Sequence, residues 1–412
     1  MSLTVSAVLA LPGLESLQLR AGAAGLENLV RWTYVAENEG IADWVMGGEL
    51  VFVTGINHPR DERNLLRLLR EAHERVTAGV VILTGEEFIH AIPESVIAEA
   101  EQLGVPLLEQ PYQLKMVVVS ESIGTALVQE QMLGRSREHV LQQLLDGVYQ
   151  SLDVLLQRAA RLDLPLAQPR QVVLIKLNNS ERLFTEEPAA AAERRLQASR
   201  QLLQRRLEQI LNELHEPLPL LSQGDHWIAL PPTRTPHEPS NRQVFAAALD
   251  ELNRELAPLR LFIGLSAGGH GPTQLPSGLG EARQALLAAQ SFPERLGLCC
   301  FSDLGVLELL GAIRDRSLLD RFVANMLGPL IGDDSRHEPV LMPTLEAWFY
   351  ECGNLALAAQ RLAVHRNTLS YRMQRIEALT GCSFNDPHDR LNVAVALMIW
   401  RLSPSHPAWS TA

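Results

Sequence analysis

The sequence predicts a multidomain protein in which α/β domains precede an all-α domain on the C-terminal side. Its 412 residues are enough for two to four domains, each with its own core. Strand patterns alternate with helical patterns through much of the chain, whereas residues 344–380 contain three short helical patterns in succession. A composition of 46% hydrophobic and 20% charged residues is typical of globular proteins and excludes a mostly disordered chain.

Residues 1–114 are predicted to form a parallel α/β domain. Three strand patterns are separated by two helical patterns, in the order 49–54, 61–76, 79–84, 93–103 and 105–109. Strands and helices that alternate at this spacing favour parallel strands joined by crossover helices.

The carboxyl ends of these strands are a candidate small-molecule site, because parallel sheets bind ligands beyond that edge. The ends lie at Thr54-Gly55, Thr84-Gly85 and residues 109–111. Two interpretations stay open: the edge holds a pocket, or its glycines only terminate the strands.

Residues 115–168 are predicted to be a helical connector, which Gly134 and Gly147 are expected to interrupt. Six apolar positions follow the spacing of a helix–helix seam: Leu145, Val148, Leu152, Leu155, Ala159 and Leu162. Such a seam either pairs with its copy in a second chain or folds back on the flanking domains. Pairing is favoured, and a homodimer or higher homo-oligomer is therefore expected.

Residues 169–305 are predicted to form a second α/β domain. Its patterns comprise strands at 172–177 and 261–266, a hairpin at 219–230, and helices at 193–214, 244–256 and 279–291. The hairpin should turn at Gln223-Gly224-Asp225. Two segments with several prolines or glycines, 231–239 and 332–339, are expected to be linkers.

Residues 306–412 are predicted to be a helical domain that contains a helix-turn-helix at 344–380. Gly353 should end the first helix and Asn354 should cap the second. The third helix should begin near Asn367, which we expect to cap it. Its buried stripe should consist of Leu369, Met373 and Ile376. A short helix, a tight turn and a second helix with an exposed polar face are typical of DNA-binding proteins.

The charge distribution points to an anionic partner for this helix pair. Residues 361–375 contain four arginines and no carboxylate, a formal charge of +4 within a chain of −12. A basic segment in an acidic protein favours DNA over a merely solvated helix face. The predicted DNA-contacting residues are Arg361, His365, Arg366, Asn367, Thr368, Ser370, Tyr371, Arg372, Gln374 and Arg375. Arg361 and Arg372 are assigned to phosphates, and the third helix is expected to direct Thr368, Tyr371, Gln374 and Arg375 outward.

The same segment resembles the C-terminal DNA-binding domain of the PucR/CdaR family of bacterial transcriptional regulators. The resemblance covers residues 354–377, with the core His-Arg-Asn-Thr-Leu-Ser-Tyr-Arg, and residues 386–397. It implies that six residues belong to the family's recognition segment: His365, Arg366, Asn367, Thr368, Tyr371 and Arg372.

The N-terminal domain resembles the purine-catabolism-regulator domain of that family. The resemblance rests on residues 21–25, 30–32, 41–44 and 48–50 together with Thr54-Gly55. It implies a cytoplasmic sensor of a small metabolite, with purine or related nitrogen catabolism as the pathway that the family name suggests.

The middle domain resembles the GGDEF-like domain of the same regulators, through residues 280–286 and the hairpin. A nucleotide cyclase would carry Gly-Gly-Asp-Glu-Phe at the hairpin turn, where this chain has Gln223-Gly-Asp-His-Trp227. Without the first glycine a phosphate cannot approach the backbone closely, and without the glutamate a carboxylate ligand for a metal ion is missing. We therefore expect a turn without catalytic function.

The sequence therefore predicts a cytoplasmic transcriptional regulator that binds double-stranded operator DNA under the control of an unidentified small-molecule effector. The alternative is a nucleotide- or purine-processing enzyme with a basic regulatory helical domain. No metal or cofactor is expected, because the twelve histidines are scattered and no catalytic motif occurs. Neither a membrane span nor a signal peptide is expected.

Overall fold

The computed structural model describes residues 3–56, 58–234, 238–313, 315–334 and 339–402. It contains two compact units, residues 1–137 and 138–412. None of the described helices is both long enough and apolar enough to cross a membrane. Parts of the two predicted linkers, residues 235–237 and 335–338, lie outside the described residues.

The first unit is built on a five-stranded sheet, as the sequence led us to expect for its centre. The strands are β1 Gln18–Ala21, β2 Trp32–Val35, β3 Glu49–Val53, β4 Gly79–Thr84 and β5 Leu107–Pro111, in the order β1-β5-β4-β3-β2. β2 to β5 are parallel, which confirms the predicted arrangement, and β1 is antiparallel to β5. The two edge strands were not predicted, because each has only four residues and no continuous apolar run.

Helices cover both faces of this sheet. They are α1 Val5–Leu9, α2 Glu62–Glu74, α3 Glu94–Leu103 and the beginning of α4 Met116–Asp146. All six residues of β4 are buried, as expected for a central strand that is covered on both faces. One core cluster includes Leu65 of α2 and Val96 of α3, and the other includes Val119 and Ile123 of α4.

The second unit contains another five-stranded sheet. Its strands are β6 Val173–Asn178, β7 Leu221–Gln223, β8 His226–Ala229, β9 Arg260–Leu265 and β10 Leu298–Cys300, in the order β10-β9-β6-β8-β7. The predicted hairpin is confirmed as β7 and β8. The accompanying helices are α5 Leu152–Arg161, α6 Ser180–Glu186, α7 Ala189–Asn212, α8 Asn241–Glu255 and α9 Leu275–Ser291.

The end of α4 and the whole of α5 pack on this second sheet. Leu145, Leu155 and Ala159 share a core cluster with Leu174 of β6 and Ile228 of β8. Much of the predicted seam therefore folds back on the neighbouring α/β domain, because the sheet face needs an apolar cover.

Two details of the predicted connector are wrong. Gly134 does not interrupt α4, and Val148 lies between α4 and α5, outside the helical seam. The helix ends before Gly147, whose φ of +66° favours glycine. Dimerisation stays a prediction.

The C-terminal part of the second unit is helical. Its helices are α10 Val306–Ala312, α11 Arg316–Asp334, α12 Leu341–Tyr350, α13 Leu355–Arg361, α14 Arg366–Thr380 and α15 Pro387–Arg401. The three predicted helices are confirmed as α12, α13 and α14, although α12 begins three residues earlier than expected. One core cluster joins Leu345 of α12, Leu369 and Ile376 of α14, Leu330 of α11 and Val393 of α15. The helix-turn-helix is thus held by a helix on either side of it in the chain.

Candidate nucleic-acid interface

The helix pair α13–α14 is positioned by its caps and by small residues between its helices. Asn354 accepts hydrogen bonds from the backbone N–H groups of Ala356 and Leu357, at 3.0 and 3.2 Å, which confirms the predicted cap. Ala358 and Ala359 are buried and allow α13 to lie close to neighbouring helices. The turn between the helices includes Ala363 in the left-handed region, with φ +52°.

The cap of α14 is His365, so the prediction that Asn367 caps this helix is wrong. His365 has extended backbone angles, and its Nδ1 accepts a hydrogen bond from the N–H of Asn367 at 3.2 Å. An extended residue just before the first turn can satisfy an N–H group that has no partner within the helix. Asn367 therefore lies inside the first turn, and it is exposed.

The remaining part of α14 separates a buried face from a polar one. Leu369, Met373 and Ile376 are buried, as predicted. Opposite them, at 100° per residue, is a surface that we call the outward face, formed by Asn367, Tyr371 and Gln374. All three are exposed, Tyr371 to 64%.

The other predicted contact residues surround this face. Exposed side chains at the beginning of α14 are those of His365, Arg366 and Thr368. Ser370 and Arg372 are half-buried on opposite flanks, and the exposed Arg375 lies on the flank of Arg372. All ten predicted contact residues thus belong to α14, its cap or the end of α13.

Two of the predicted arginines are already paired with carboxylates. Nε of Arg361 donates to Oε1 of Glu351 at 2.7 Å, and its guanidinium lies 3.6 Å from the centre of the Tyr350 ring. Nη2 of Arg375 donates to both carboxylate oxygens of Asp333, at 2.8 and 3.0 Å. These hydrogen bonds raise the pKa of both arginines above the ordinary value. The formal +4 therefore overstates the positive charge that this surface presents.

The other two arginines have no ion pair within the described parts of the chain. Nη1 of Arg372 lies 3.5 Å from the hydroxyl of Thr344, and Arg366 is exposed in the first turn of α14. A cation at a helix N-terminus is disfavoured by the helix dipole, so Arg366 does not stabilise α14 electrostatically. An anion near Arg366 would interact favourably with both the arginine and the helix terminus.

The hairpin turn of the second unit uses its polar groups internally. The carbonyl of Gly224 accepts a hydrogen bond from Arg200, and the carbonyl of Asp225 accepts one from the N–H of Leu177 at 3.1 Å. Trp227 is buried and its Nε1 donates to Gln204 at 2.7 Å. Within the described part of the chain, no three His, Cys, Asp or Glu side chains are grouped to hold a metal ion.

The carboxyl edge of the first sheet combines aromatic and charged side chains. The rings of Phe88 and Tyr112, both exposed, have centroids 6.0 Å apart. Beside them Thr84 donates a 2.7 Å hydrogen bond to Glu109, and Glu109 forms a 2.7 Å ion pair with Arg20. The sequence indicated this edge but not Arg20, which an unpredicted strand contributes.

Three family models match separate parts of the chain. Residues 7–127 match the purine catabolism regulatory protein-like family, PucR. Residues 146–288 match the GGDEF-like domain, and residues 341–399 match the PucR C-terminal helix-turn-helix domain. The third match contains the whole outward face and all ten predicted contact residues.

Several curated proteins are similar to parts of this chain. The carbohydrate diacid regulator of Escherichia coli (strain K12) is 27% identical over 327 residues, 78% of this chain and 76% of that protein. An uncharacterized protein in the pkwA 5′ region of Thermomonospora curvata is 39% identical over 20% of this chain and 46% of its own length. The purine catabolism regulatory protein of Bacillus subtilis (strain 168) is 28% identical over 26% of this chain and 20% of its own length.

The last two matches span less than half of the relatives' lengths, whereas the first spans three quarters of the E. coli regulator. The three domain matches follow one another in the order PucR, GGDEF-like and helix-turn-helix. The chain thus combines, in this order, a region similar to the PucR family, a GGDEF-like region and a region similar to the PucR C-terminal helix-turn-helix domain.

Proposed function

We propose that this protein is a sequence-specific transcriptional regulator that places α14 in the major groove of double-stranded operator DNA. The outward face carries this proposal: it presents polar side chains from a helix whose opposite face is fully buried. An α-helix fits the major groove, where the edges of all four base pairs can be distinguished.

Eight of the ten predicted contact residues, all except the paired Arg361 and Arg375, have a role that their chemistry supports. Asn367 and Gln374 carry amides that can form paired hydrogen bonds with adenine, and Tyr371 adds an amphipathic ring between them. Arg366 and Arg372 would bind phosphates and fix the register of the helix on the duplex. Thr368 and Ser370 would reach the sugar–phosphate walls of the groove, and His365 would maintain the beginning of α14.

A homodimer is the proposed binding form, since one helix-turn-helix reads only a short half-site. The first unit leaves apolar residues of α4 exposed, among them Val117, Val128 and Met132. Their separations of eleven and fifteen residues place them on one face of the helix, where a second copy could cover them.

The proposed effector site is the carboxyl edge of the first sheet. Phe88 and Tyr112 could pack against a ring or an apolar group, and the charged group around Glu109 could hold polar substituents. Relatives are named for carbohydrate diacid and for purine catabolism, so small metabolites of catabolic pathways are the first candidates. Binding would shift the population between arrangements of the two helix-turn-helices in a cytoplasmic dimer.

The GGDEF-like domain is proposed to act as a structural connection rather than as an enzyme. The contacts of Arg200, Gln204 and Leu177 with the hairpin support this, because they bind the turn to its own domain. A turnover assay with nucleoside triphosphates tests it, and product formation would reopen the enzyme alternative.

A titration of the purified protein against its own upstream DNA, at two salt concentrations, tests the central proposal. We expect tight binding that weakens steeply with salt and exceeds the binding to random DNA of equal length. Candidate metabolites added to the same titration should then change the affinity. Folded protein that shows no preference for its upstream DNA, with or without metabolites, would contradict the proposal.

A further inference from the structure

We infer that Asp333 is a positioning residue that withholds Arg375 from the DNA backbone and so limits sequence-independent affinity. The inference rests on the proposed function as a DNA-binding regulator. It concerns a residue at the end of α11, outside the helix-turn-helix, and it reassigns an arginine that the charge pattern placed among the DNA contacts.

The ion pair between Asp333 and Arg375 has a defined geometry. Both carboxylate oxygens of Asp333 accept from Nη2 of Arg375, at 2.8 and 3.0 Å. The Asp333 side chain is 15% exposed and that of Arg375 42%, so the carboxylate is the more enclosed partner.

The backbone that carries Asp333 is held by the neighbouring Asp334. Asp334 accepts hydrogen bonds from the N–H groups of Val340, Leu341 and Met342 at 3.1, 3.0 and 2.8 Å, which ties the end of α11 to the beginning of α12. The backbone at Asp333 is therefore constrained close to α14. A carboxylate on a constrained backbone loses less freedom when it binds the arginine, which favours the paired state.

The position of Arg375 makes it a candidate phosphate ligand rather than a base reader. It lies on a flank of the outward face, whereas its neighbour Gln374, which is assigned to a base, lies on that face itself. A side chain on the flank is closer to the sugar–phosphate wall of the groove than to the base edges. An Arg375 released from Asp333 would add one phosphate contact on DNA of any sequence. The ion pair of Arg375 and Asp333, by contrast, has no net charge.

The other paired arginine provides a contrast within the same domain. Arg361 is bound by Glu351 but belongs to α13, and it lines a cleft of about 590 Å³ with Glu294 and Arg401 of the same unit. Its carboxylate partner comes from the end of α12, next to Tyr350, on which the guanidinium is stacked. Release of Glu351 would therefore leave Arg361 held by the ring, whereas Asp333 is, among the described residues, the carboxylate that is paired with an arginine of α14.

The test uses the full chain and an isosteric change, Asp333→Asn, with Asp320→Asn as the matched control. Asp320 is an exposed aspartate on the same helix, so both variants change the charge of α11 equally. Dissociation constants are measured for upstream and random DNA between 50 and 200 mM salt. We expect Asp333→Asn to tighten both complexes roughly three- to tenfold and to steepen the salt dependence by about one unit, with selectivity unchanged. Asp320→Asn should leave the salt slope as it is.

Two further variants identify the arginine as the origin of the effect. Arg375→Ala should change neither the salt slope nor the selectivity, and Asp333→Asn combined with Arg375→Ala should restore the wild-type slope. A lower selectivity of Arg375→Ala would overturn the inference, because Arg375 would then read a base. A slope that stays steeper than that of the wild type in the double variant would also overturn the inference. The loss of repulsion between Asp333 and the DNA phosphates would then explain the steeper slope without Arg375.

The outcome for the wild-type protein separates this inference from the proposed function. Wild-type protein without preference for its upstream DNA would contradict the proposed function and, with it, the inference about Asp333. Wild-type protein with that preference, combined with an unchanged slope for Asp333→Asn, would overturn the inference alone.

Discussion

The two faces of α14 differ in what their side chains do, although they alternate along fifteen residues. Leu369, Met373 and Ile376 belong to one core cluster together with residues of four other helices, and their role is to hold α14 in the domain. The outward face contributes little to that core, so its residues are available for recognition. Stability and DNA recognition should therefore respond to different substitutions in one helix.

The largest effect is expected from the buried face. Leu369→Ala removes a fully buried side chain and should lower the free energy of unfolding of the helical domain by about 2 to 5 kcal/mol. Chemical denaturation followed by circular dichroism measures this. The exposed Thr368 is the matched control, and Thr368→Ala should change the unfolding free energy by less than about 0.5 kcal/mol. Equal losses for both variants would contradict the division into two faces.

The next effect is expected from the outward face. Gln374→Ala should reduce the discrimination between upstream and random DNA by about 1 to 3 kcal/mol, because an amide that pairs with a base edge is lost. Its unfolding transition should stay that of the wild type. Parallel titrations with both DNAs provide the measurement, and unchanged discrimination would remove Gln374 from the set of base contacts.

The cap of α14 should give an intermediate effect on stability. His365→Ala removes the acceptor of the Asn367 N–H and should destabilise the domain by about 0.5 to 2 kcal/mol. His365→Ser is the informative control, since serine caps helices well and should restore most of the loss. A thermal melt compares the three proteins. Equal destabilisation by serine and alanine would show that the ring has another role.

The smallest effect on selectivity is expected at the beginning of α14. Arg366→Ala should weaken binding to every DNA sequence alike and reduce the salt slope by about one unit, because it removes a phosphate contact. Titrations at several salt concentrations measure the slope. A changed preference among operator variants would show instead that Arg366 reads a base.

Local patterns were sufficient for much of this protein. The strands β3 and β4 were predictable because each is largely a continuous apolar run between turns, and β5 was predictable from the short apolar run 105–108 that leads into it. The buried stripe of α14 and the Asn354 cap were predictable because helical spacing and capping depend on nearby residues. The edge strands β1 and β2 escaped because four half-exposed residues carry no such signal.

The sequence by itself determined the order of the domains, the helix-turn-helix and the residues that α14 buries, because each of these depends on spacings of a few residues. Only the tertiary structure decided the return of the connector onto the second sheet and the pairing of Arg375 with Asp333, 42 residues away. Contacts of that kind depend on how separate helices pack, which the local sequence does not encode. The tertiary structure also decided that Arg361 and Arg375 of the basic segment are paired with carboxylates.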